Sequence, residues 1–218
     1  PAAAEYVVVF AGQGDTVMPV VILGVEPNHN LYVKDDGAWD STYVPAFVRR
    51  YPFVFAASED AKSFTLCIDE AFSGCNREGR GEQLFDIDGV RTQYLETVLN
   101  FVKSYQVQHQ RTQSFCKRLV ELGLLEPVQA RFTLSTGVRR GLTGFMAVNR
   151  TKLKALSRET LADMAVSDEL ELIYLHLHSM LNFKQLLQRV GAVSNDPPVA
   201  QGEEPSADGE GDSAPLAN

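Results

Sequence analysis

The residues best suited to binding or chemistry lie between positions 36 and 55, in the sequence DGAWDSTYVPAFVRRYPFVF. This segment contains the single tryptophan of the chain and an adjacent arginine pair. Tryptophan, tyrosine and arginine are the side chains in which binding energy concentrates at protein interfaces. The segment therefore predicts a surface that binds a ligand or a partner, and its candidate residues are Trp39, Asp40, Tyr43, Arg49 and Arg50.

The same segment also fits a structural role. Pro45 can begin a short helix, because its fixed φ and its missing N–H suit a first helical turn. Pro52 would end that helix early, since the residue before a proline avoids the helical region. The aromatic side chains could then form a small core at one edge of a sheet, with Arg49 and Arg50 in solvent or paired with Asp40. Both interpretations stay open at the level of sequence.

Other motifs that resemble catalytic or metal sites fail on their spacing. Residues 10–14 (FAGQG) are similar to the opening of acyltransferase domains, but the chain has no GxSxG nucleophile motif. A calcium loop with Gly89 at its sixth position would place leucines where carboxylates are required. His176 and His178 lie about 200° apart on a helix and cannot share a metal there. We therefore predict no metal and no cofactor, and the balance favours a protein without enzymatic activity.

The negative charge of the chain is concentrated at its C-terminal end. The net charge is −8, and six of the 28 acidic residues lie in 192–218, which contains no Lys or Arg. Residues 1–191 therefore carry 22 acids against 20 basic residues. A nearly neutral folded part has no basic field to attract a phosphate backbone, so nucleic acid is not a predicted partner.

Cysteine usage and hydropathy exclude further classes of protein. The three cysteines, Cys67, Cys75 and Cys116, form no CxxC pair, so neither a zinc site nor a disulfide framework is predicted. No apolar run approaches the roughly 18 residues that a membrane span requires. Transmembrane insertion is therefore not predicted.

The elements that would position the candidate residues are predicted from periodicity. Helical spacing is found at 91–125, as one bent helix or two consecutive ones, and at 168–189; Ser157 and Thr160 begin another helix. Runs typical of strands lie at 6–11, 17–25, 31–33, 53–57, 64–68, 128–134 and 141–148. We predict a single α+β domain over 1–191, in which antiparallel strands from both ends of the chain pack against the two long helical segments. Residues 192–218, rich in Pro, Gly, Ser and acids, are predicted to be a disordered acidic tail.

Five segments in order resemble the bacterial SapC family. They are WDSTYVPAFVRRYPFVF (39–55), LFDIDGVRTQYL (84–95), LVELGLLEPV (119–128), LTGFMAVNRTKLKAL (142–156) and HLHSMLNFKQLLQR (176–189). The resemblance covers roughly residues 5–191. It implies a non-enzymatic binding or structural role linked to the bacterial cell surface, because the family takes its name from a protein associated with surface layers. The expected partner is then an envelope or surface-layer protein.

The resemblance also supports an alternative function and bears on location. Members tend to occur in gene neighbourhoods with outer-membrane receptors and flavin-dependent halogenases, which implies an accessory protein that binds a small ligand, or an uncharacterised enzyme. Members usually carry more residues before the first strand, and this chain starts at Pro1, so we expect a shortened N-terminus. Location in the cytoplasm or at the cell surface stays open.

Overall fold

The computed structural model describes residues 1–58, 63–134, 136–193 and 199–200. The strands are β1 Val8–Ala11, β2 Met18–Val21, β3 Phe53–Ala57, β4 Phe64–Ile68, β5 Leu125–Leu134, β6 Arg139–Val148, β7 Ala192–Val193 and β8 Val199–Ala200. The α-helices are α1 Ala2–Glu5, α2 Ala46–Arg49, α3 Gln93–Glu121, α4 Arg150–Lys154, α5 Arg158–Val166, α6 Glu169–Ser179 and α7 Phe183–Arg189. Two 3-10 turns lie at Gly14–Thr16 and Met180–Asn182.

The larger sheet joins strands from both ends of the chain. Its order is β2-β1-β6-β5-β7, β8 also pairs with β5, and the pairs are antiparallel. β1 meets β6 where Phe10 lies opposite Met146, while β3 and β4 form a separate two-stranded sheet. The predicted α+β fold with antiparallel strands and packed helices is therefore confirmed.

The larger sheet buries apolar side chains on both faces because neighbouring residues of a strand point to opposite sides. On one face Val9 and Phe145 pack with Phe183 of α7, together with the buried rings of the first 32 residues. On the other face Phe10 packs with helical residues from the second half of the chain. Full burial of each large apolar side chain contributes about 1.5–3 kcal/mol. The two layers bury β1 on both faces of the sheet.

The segment predicted as a bent helix or two helices is one helix of 29 residues, α3. Thr92 caps its start by accepting a hydrogen bond from the backbone N–H of Leu95, and Gly123, at φ 62°, follows its end. The polar stretch in its middle contains neither Pro nor Gly, so no backbone feature interrupts the helix. Buried residues on both sides of that stretch, such as Val102 and Phe115, fix the two halves.

The helix predicted at 168–189 is interrupted instead of continuous. α6 passes through the 3-10 turn Met180–Asn182 into α7. Ser179 and Asn182 bond the N-terminal segment there: the Val8 N–H donates to Ser179 Oγ at 3.1 Å, and Asn182 Nδ2 donates to the carbonyls of Ala3 and Tyr6 at 3.0 and 2.9 Å. Ser and Asn side chains that bond backbone groups compete with regular helix geometry.

Three predicted strands are shorter than expected, and the first of them begins at Val8 instead of residue 6. The second strand ends at Val21, and the segment 31–33 forms a single bridge between Val33 and Trp39. The Leu31 N–H donates to the Leu23 carbonyl at 2.8 Å, so this part of the chain is held by single backbone bonds and by side-chain packing. The strands at 53–57 and 64–68 and the short helix after Pro45 lie where they were predicted, and the two strands pair as a hairpin.

Parts of the predicted tail extend the larger sheet. β7 and β8 both pair with β5 and belong to the segment 192–218, while residues 194–198 and 201–218 of that segment lie outside the described residues. Within the described ranges, no helix is long and apolar enough to cross a membrane.

Candidate functional site

The structure divides the five candidate residues between two places. Trp39 and Asp40 lie against the N-terminal segment and α7, whereas Arg49 and Arg50 lie over α3. Tyr43 connects the two places. Its carbonyl oxygen accepts a hydrogen bond from the Tyr6 hydroxyl, and its ring lies under the Arg49 guanidinium. The segment 36–55 therefore contributes side chains to two separate packing environments.

Trp39 anchors its segment to buried tyrosines. Its indole Nε1 donates to the Tyr6 hydroxyl at 2.8 Å, and its ring is stacked on Tyr32 with centroids 6.3 Å apart. Tyr6 and Tyr32 are 0% and 1% exposed, with centroids 4.7 Å apart. A half-buried indole whose N–H is satisfied in this way has no free polar group to offer a ligand. Trp39 therefore supports the structural interpretation of the segment.

Glu5 holds the chain that follows Trp39. Its carboxylate accepts hydrogen bonds from the Ser41 hydroxyl, from the Thr42 N–H at 2.8 Å and from the Tyr43 N–H at 3.3 Å. The hydrogen bond from Ser41 is the largest cause of a lowered pKa for Glu5, and the two backbone N–H groups lower this pKa further. Hydrogen bonds to the charged form favour that form. Glu5 therefore has a structural role that the local sequence pattern did not reveal.

Asp40 is paired with residues that were not predicted. Arg189, in the last turn of α7, donates to the Asp40 carboxylate at 2.6 Å and to its carbonyl oxygen at 2.9 Å, and Lys34 lies 3.3 Å from the carboxylate. The Arg189 bond is the largest cause of a lowered pKa for Asp40, followed by the Lys34 bond. Arg189 also lies 4.3 Å from the Tyr32 ring centroid. A pairing of Asp40 with Arg49 or Arg50 is not formed among the described residues.

Arg49 and Arg50 are each held between two aromatic rings. The Arg49 guanidinium lies 5.3 Å from the Tyr43 ring and 5.1 Å from the Phe101 ring. The Arg50 guanidinium lies 4.4 Å from Phe47 and 5.2 Å from Tyr105. None of the six ion pairs in the described ranges includes either arginine. Stacking restrains the two guanidinium groups and leaves their N–H edges available.

The surface around this pair is apolar and open. We call it the arginine face; it consists of Phe47, Arg49, Arg50, Tyr51, Phe101 and Tyr105. Phe47 is 64% exposed and Tyr51 is 53% exposed. Arg49, Arg50, Tyr51 and Phe101 line a shallow depression of about 310 Å³. Fixed cations beside exposed rings can bind carboxylates or other anions, and they are not an arrangement for acid–base or nucleophilic catalysis.

His176 belongs to the structure of the sheet. It is 3% exposed, and its Nε2 accepts a hydrogen bond from the Val148 N–H at 3.1 Å. The proton must then be on Nδ1, which donates to the Val8 carbonyl at 2.8 Å. Burial is the largest cause of a lowered pKa for His176. Its two nitrogens join α6 to β1 and β6 and are not free to bind a metal.

The remaining candidate groups offer little reactivity. Burial raises the pKa of the Cys116 thiol to about 11, so the reactive thiolate is scarce at neutral pH. Across the described part of the chain, no group of three or more His, Cys, Asp or Glu side chains could hold a metal ion.

The family of the chain is established by sequence comparison. The model of the SapC family matches residues 1–186 of the 218 residues. Comparison with curated proteins and with solved structures gives no significant match. The matched region includes both the Trp39 anchor and the arginine face, and it extends almost to the end of α7. The chain therefore belongs to the SapC family.

Proposed function

We propose that this chain is a non-enzymatic binding protein that docks on a partner at the cell surface or envelope through the arginine face. The observation that carries the proposal is the pair of guanidinium groups, each stacked between two rings and without a carboxylate partner among the described residues. Arg and aromatic residues are enriched at the energetic centres of interfaces. Groups that are already ordered lose less conformational entropy on binding.

The chemistry of the arginine face favours an acidic partner surface. Guanidinium groups bind carboxylates through paired N–H donors, and the exposed rings of Phe47 and Tyr51 add apolar area around them. The link to the envelope is supported by family membership, since the family is named for association with surface layers. A surface-layer or envelope protein with exposed acidic side chains fits both considerations.

Small-molecule binding beside Trp39, Arg49 and Arg50 has less support. The Trp39 ring is packed on Tyr32 and does not line the depression beside the arginine pair. That depression of about 310 Å³ lies at the lower end of ligand-pocket volumes, and it is shallow. A broad partner surface uses the exposed rings better than a small ligand does.

The test is co-sedimentation of the purified chain with an envelope fraction of the bacterium that encodes it. We expect the variant Arg49→Gln/Arg50→Gln to reduce the bound fraction at least tenfold. The chain provides a matched control in its second exposed arginine pair, Arg139 and Arg140 at the start of β6. The variant Arg139→Gln/Arg140→Gln makes the same change in net charge and should bind like the wild type.

Two results would contradict the proposal. Equal losses in the two double variants would show that net charge alone drives sedimentation. Binding by the Arg49→Gln/Arg50→Gln variant at the wild-type level would show that the arginine face is not the docking surface. Thermal unfolding of both variants shows whether either loss comes from unfolding instead of a lost contact.

A further inference from the structure

A second concave surface lies on a different face of α3. It is the groove between the β3–β4 hairpin and the first half of α3, and its volume is about 570 Å³. Leu95, Leu99 and Lys103, spaced four residues apart, line it along the helix. The arginine face uses Phe101 and Tyr105, which point to another side of α3. The groove and the arginine face therefore use different sides of α3, and Phe53 lines both the groove and the depression beside the arginine pair.

The register of the hairpin explains why the groove is apolar. Phe53 lies opposite Ile68 and Phe55 opposite Leu66, and directly opposed residues of antiparallel strands share a face. Both pairs line the groove, together with Phe64 nearer the hairpin tip. One face of this two-stranded sheet is thus apolar along its length, and no second sheet covers it among the described residues.

The groove has a buried floor and a solvent-exposed rim. Phe53 is 7% exposed and Leu95 is 4% exposed, so they form its floor. Phe64 and Phe85 are 39% and 53% exposed and form its rim. A concave site of about 570 Å³ with mostly apolar walls and few polar groups has the character of a small-molecule site.

The described charged residues of the groove have one sign. Among the described residues, Arg91 and Lys103 line it and no acidic residue does, although the net charge of the chain is −8. Arg91 is paired with Glu96 at 3.3 Å. Lys103 takes part in none of the ion pairs found in the described ranges. The ammonium group of Lys103 is therefore the cation available to a ligand.

A neighbouring cavity has a different charge pattern. On the other side of Phe53, a cavity of about 410 Å³ is lined by Arg77 and Arg80 and also by Glu70 and Glu82. Its charges balance, and it carries no preference for an anion. The groove beside Leu99 combines an apolar wall with an unpaired cation.

We propose that the groove binds an amphiphile with an elongated apolar body and a terminal carboxylate, such as a medium-chain fatty acid. The hydrocarbon body lies between the Phe55–Leu66 pair and Leu99, where it removes exposed apolar surface from water. The carboxylate lies at Lys103 and forms a charge-assisted hydrogen bond with its ammonium group. The proposal assigns this site no reaction.

Calorimetric titration with decanoate tests the proposal, with decanol as a ligand of equal chain length and no charge. We expect Lys103→Gln to weaken decanoate binding ten- to about a hundredfold, the range for a lost hydrogen bond to a charged group, and to leave decanol binding unchanged. Lys117 is the matched control, because it is also exposed on α3 and is remote from the groove. Lys117→Gln should bind both ligands like the wild type.

A second variant tests the apolar wall separately. Leu99→Trp fills the groove, so it should lose both decanoate and decanol while its far-ultraviolet circular dichroism stays that of the wild type. The proposal is overturned if the wild type binds no carboxylate between octanoate and palmitate, or if Lys103→Gln binds decanoate as the wild type does. It is also overturned if sedimentation shows a dimer that Leu99→Trp dissociates, because a second copy would then occupy the groove.

Discussion

The anchored region around Trp39 and the exposed region from Phe47 to Tyr94 use similar side chains in opposite ways. In the first, Trp39 and the buried rings of Tyr6 and Tyr32 pack together, and the charged group of Asp40 has its partners. In the second, rings and aliphatic side chains face solvent, and the arginine pair has rings for neighbours instead of carboxylates. Among the described residues, ten of the 19 exposed large hydrophobic residues lie between positions 47 and 94, so exposure is concentrated there.

The difference follows from what each region packs against. The anchored region lies on the larger sheet, where the N-terminal segment and α7 supply partners from distant positions in the chain. The exposed region has the first half of α3 and a two-stranded sheet as its support. A support of this size leaves apolar area uncovered, and uncovered apolar area is a marker of a binding surface. Aromatic side chains are therefore packed into the fold in one region and exposed to solvent in the other.

The largest effect should come from the anchor. Tyr6→Ala removes a ring that is 0% exposed, and truncation of a buried aromatic side chain costs about 3–5 kcal/mol of unfolding free energy. Tyr6→Phe keeps the ring and leaves the Trp39 N–H and the Tyr43 carbonyl without their partner, so about 1–2 kcal/mol should be lost. Urea unfolding measures both variants. A loss below 1 kcal/mol for Tyr6→Ala would remove the contrast between the two regions.

A pH-dependent effect should appear at His176. Its folded-state pKa lies below the ordinary value of 6.5 because of burial, so the unfolded chain binds a proton that the folded chain does not. The contribution of His176 to the free energy of unfolding is therefore fully present above pH 6.5, and it is lost as the pH decreases toward the folded-state pKa. The slope approaches about 1.4 kcal/mol per pH unit.

Urea unfolding at several pH values between 7 and 5 measures this effect. His176→Gln should be less stable at pH 7 and should lack this part of the pH dependence. His178 lies on the exposed side of α6, so His178→Gln should keep the wild-type slope. A slope that disappears in the His178→Gln variant instead would mean that the titrating group was assigned to the wrong histidine.

The fold was largely predictable where local patterns decide structure. The β3–β4 hairpin has the residues predicted for it, because alternating aromatic and β-branched side chains favour strands. The short helix after Pro45 and the helix capped by Ser157 follow from single residues with defined conformations or hydrogen bonds. For α3 the sequence predicted one bent helix or two consecutive ones, and the structure has a single helix, because neither Pro nor Gly interrupts the polar stretch.

The arrangement of the candidate residues was not predictable from the sequence. The candidate residues were found from their types, but the residues that separate them into two places come from far along the chain. Glu5 bonds residues 41–43, and Arg189 bonds Asp40 across 149 positions. Local sequence periodicity cannot predict such contacts, because they depend on which helices and strands pack together in three dimensions. The position of Arg189 in the last turn of a helix gave a weak signal, since cations are favoured there.

The smallest effect on stability should come from the arginine face. Arg50→Ala removes a guanidinium that contacts the rings of Phe47 and Tyr105 and no carboxylate in the described ranges. Exposed cation–π contacts are worth about 0.5–1 kcal/mol, so the melting temperature should change little. Arg189→Ala is the matched comparison in the anchored region, where the lost side chain bonds Asp40 and the Leu31 carbonyl.

Thermal unfolding of the two arginine variants ranks the regions directly. We expect a larger decrease in melting temperature for Arg189→Ala, because its removal leaves the carbonyls of Leu31 and Asp40 without this donor and leaves the Asp40 carboxylate with Lys34 as its remaining partner. Arg50→Ala should keep stability and lose partner binding, since its contacts restrain the guanidinium without satisfying its N–H groups. If Arg50→Ala decreases the melting temperature as much as Arg189→Ala does, the arginine face is a small structural core, and the proposed docking surface must be abandoned.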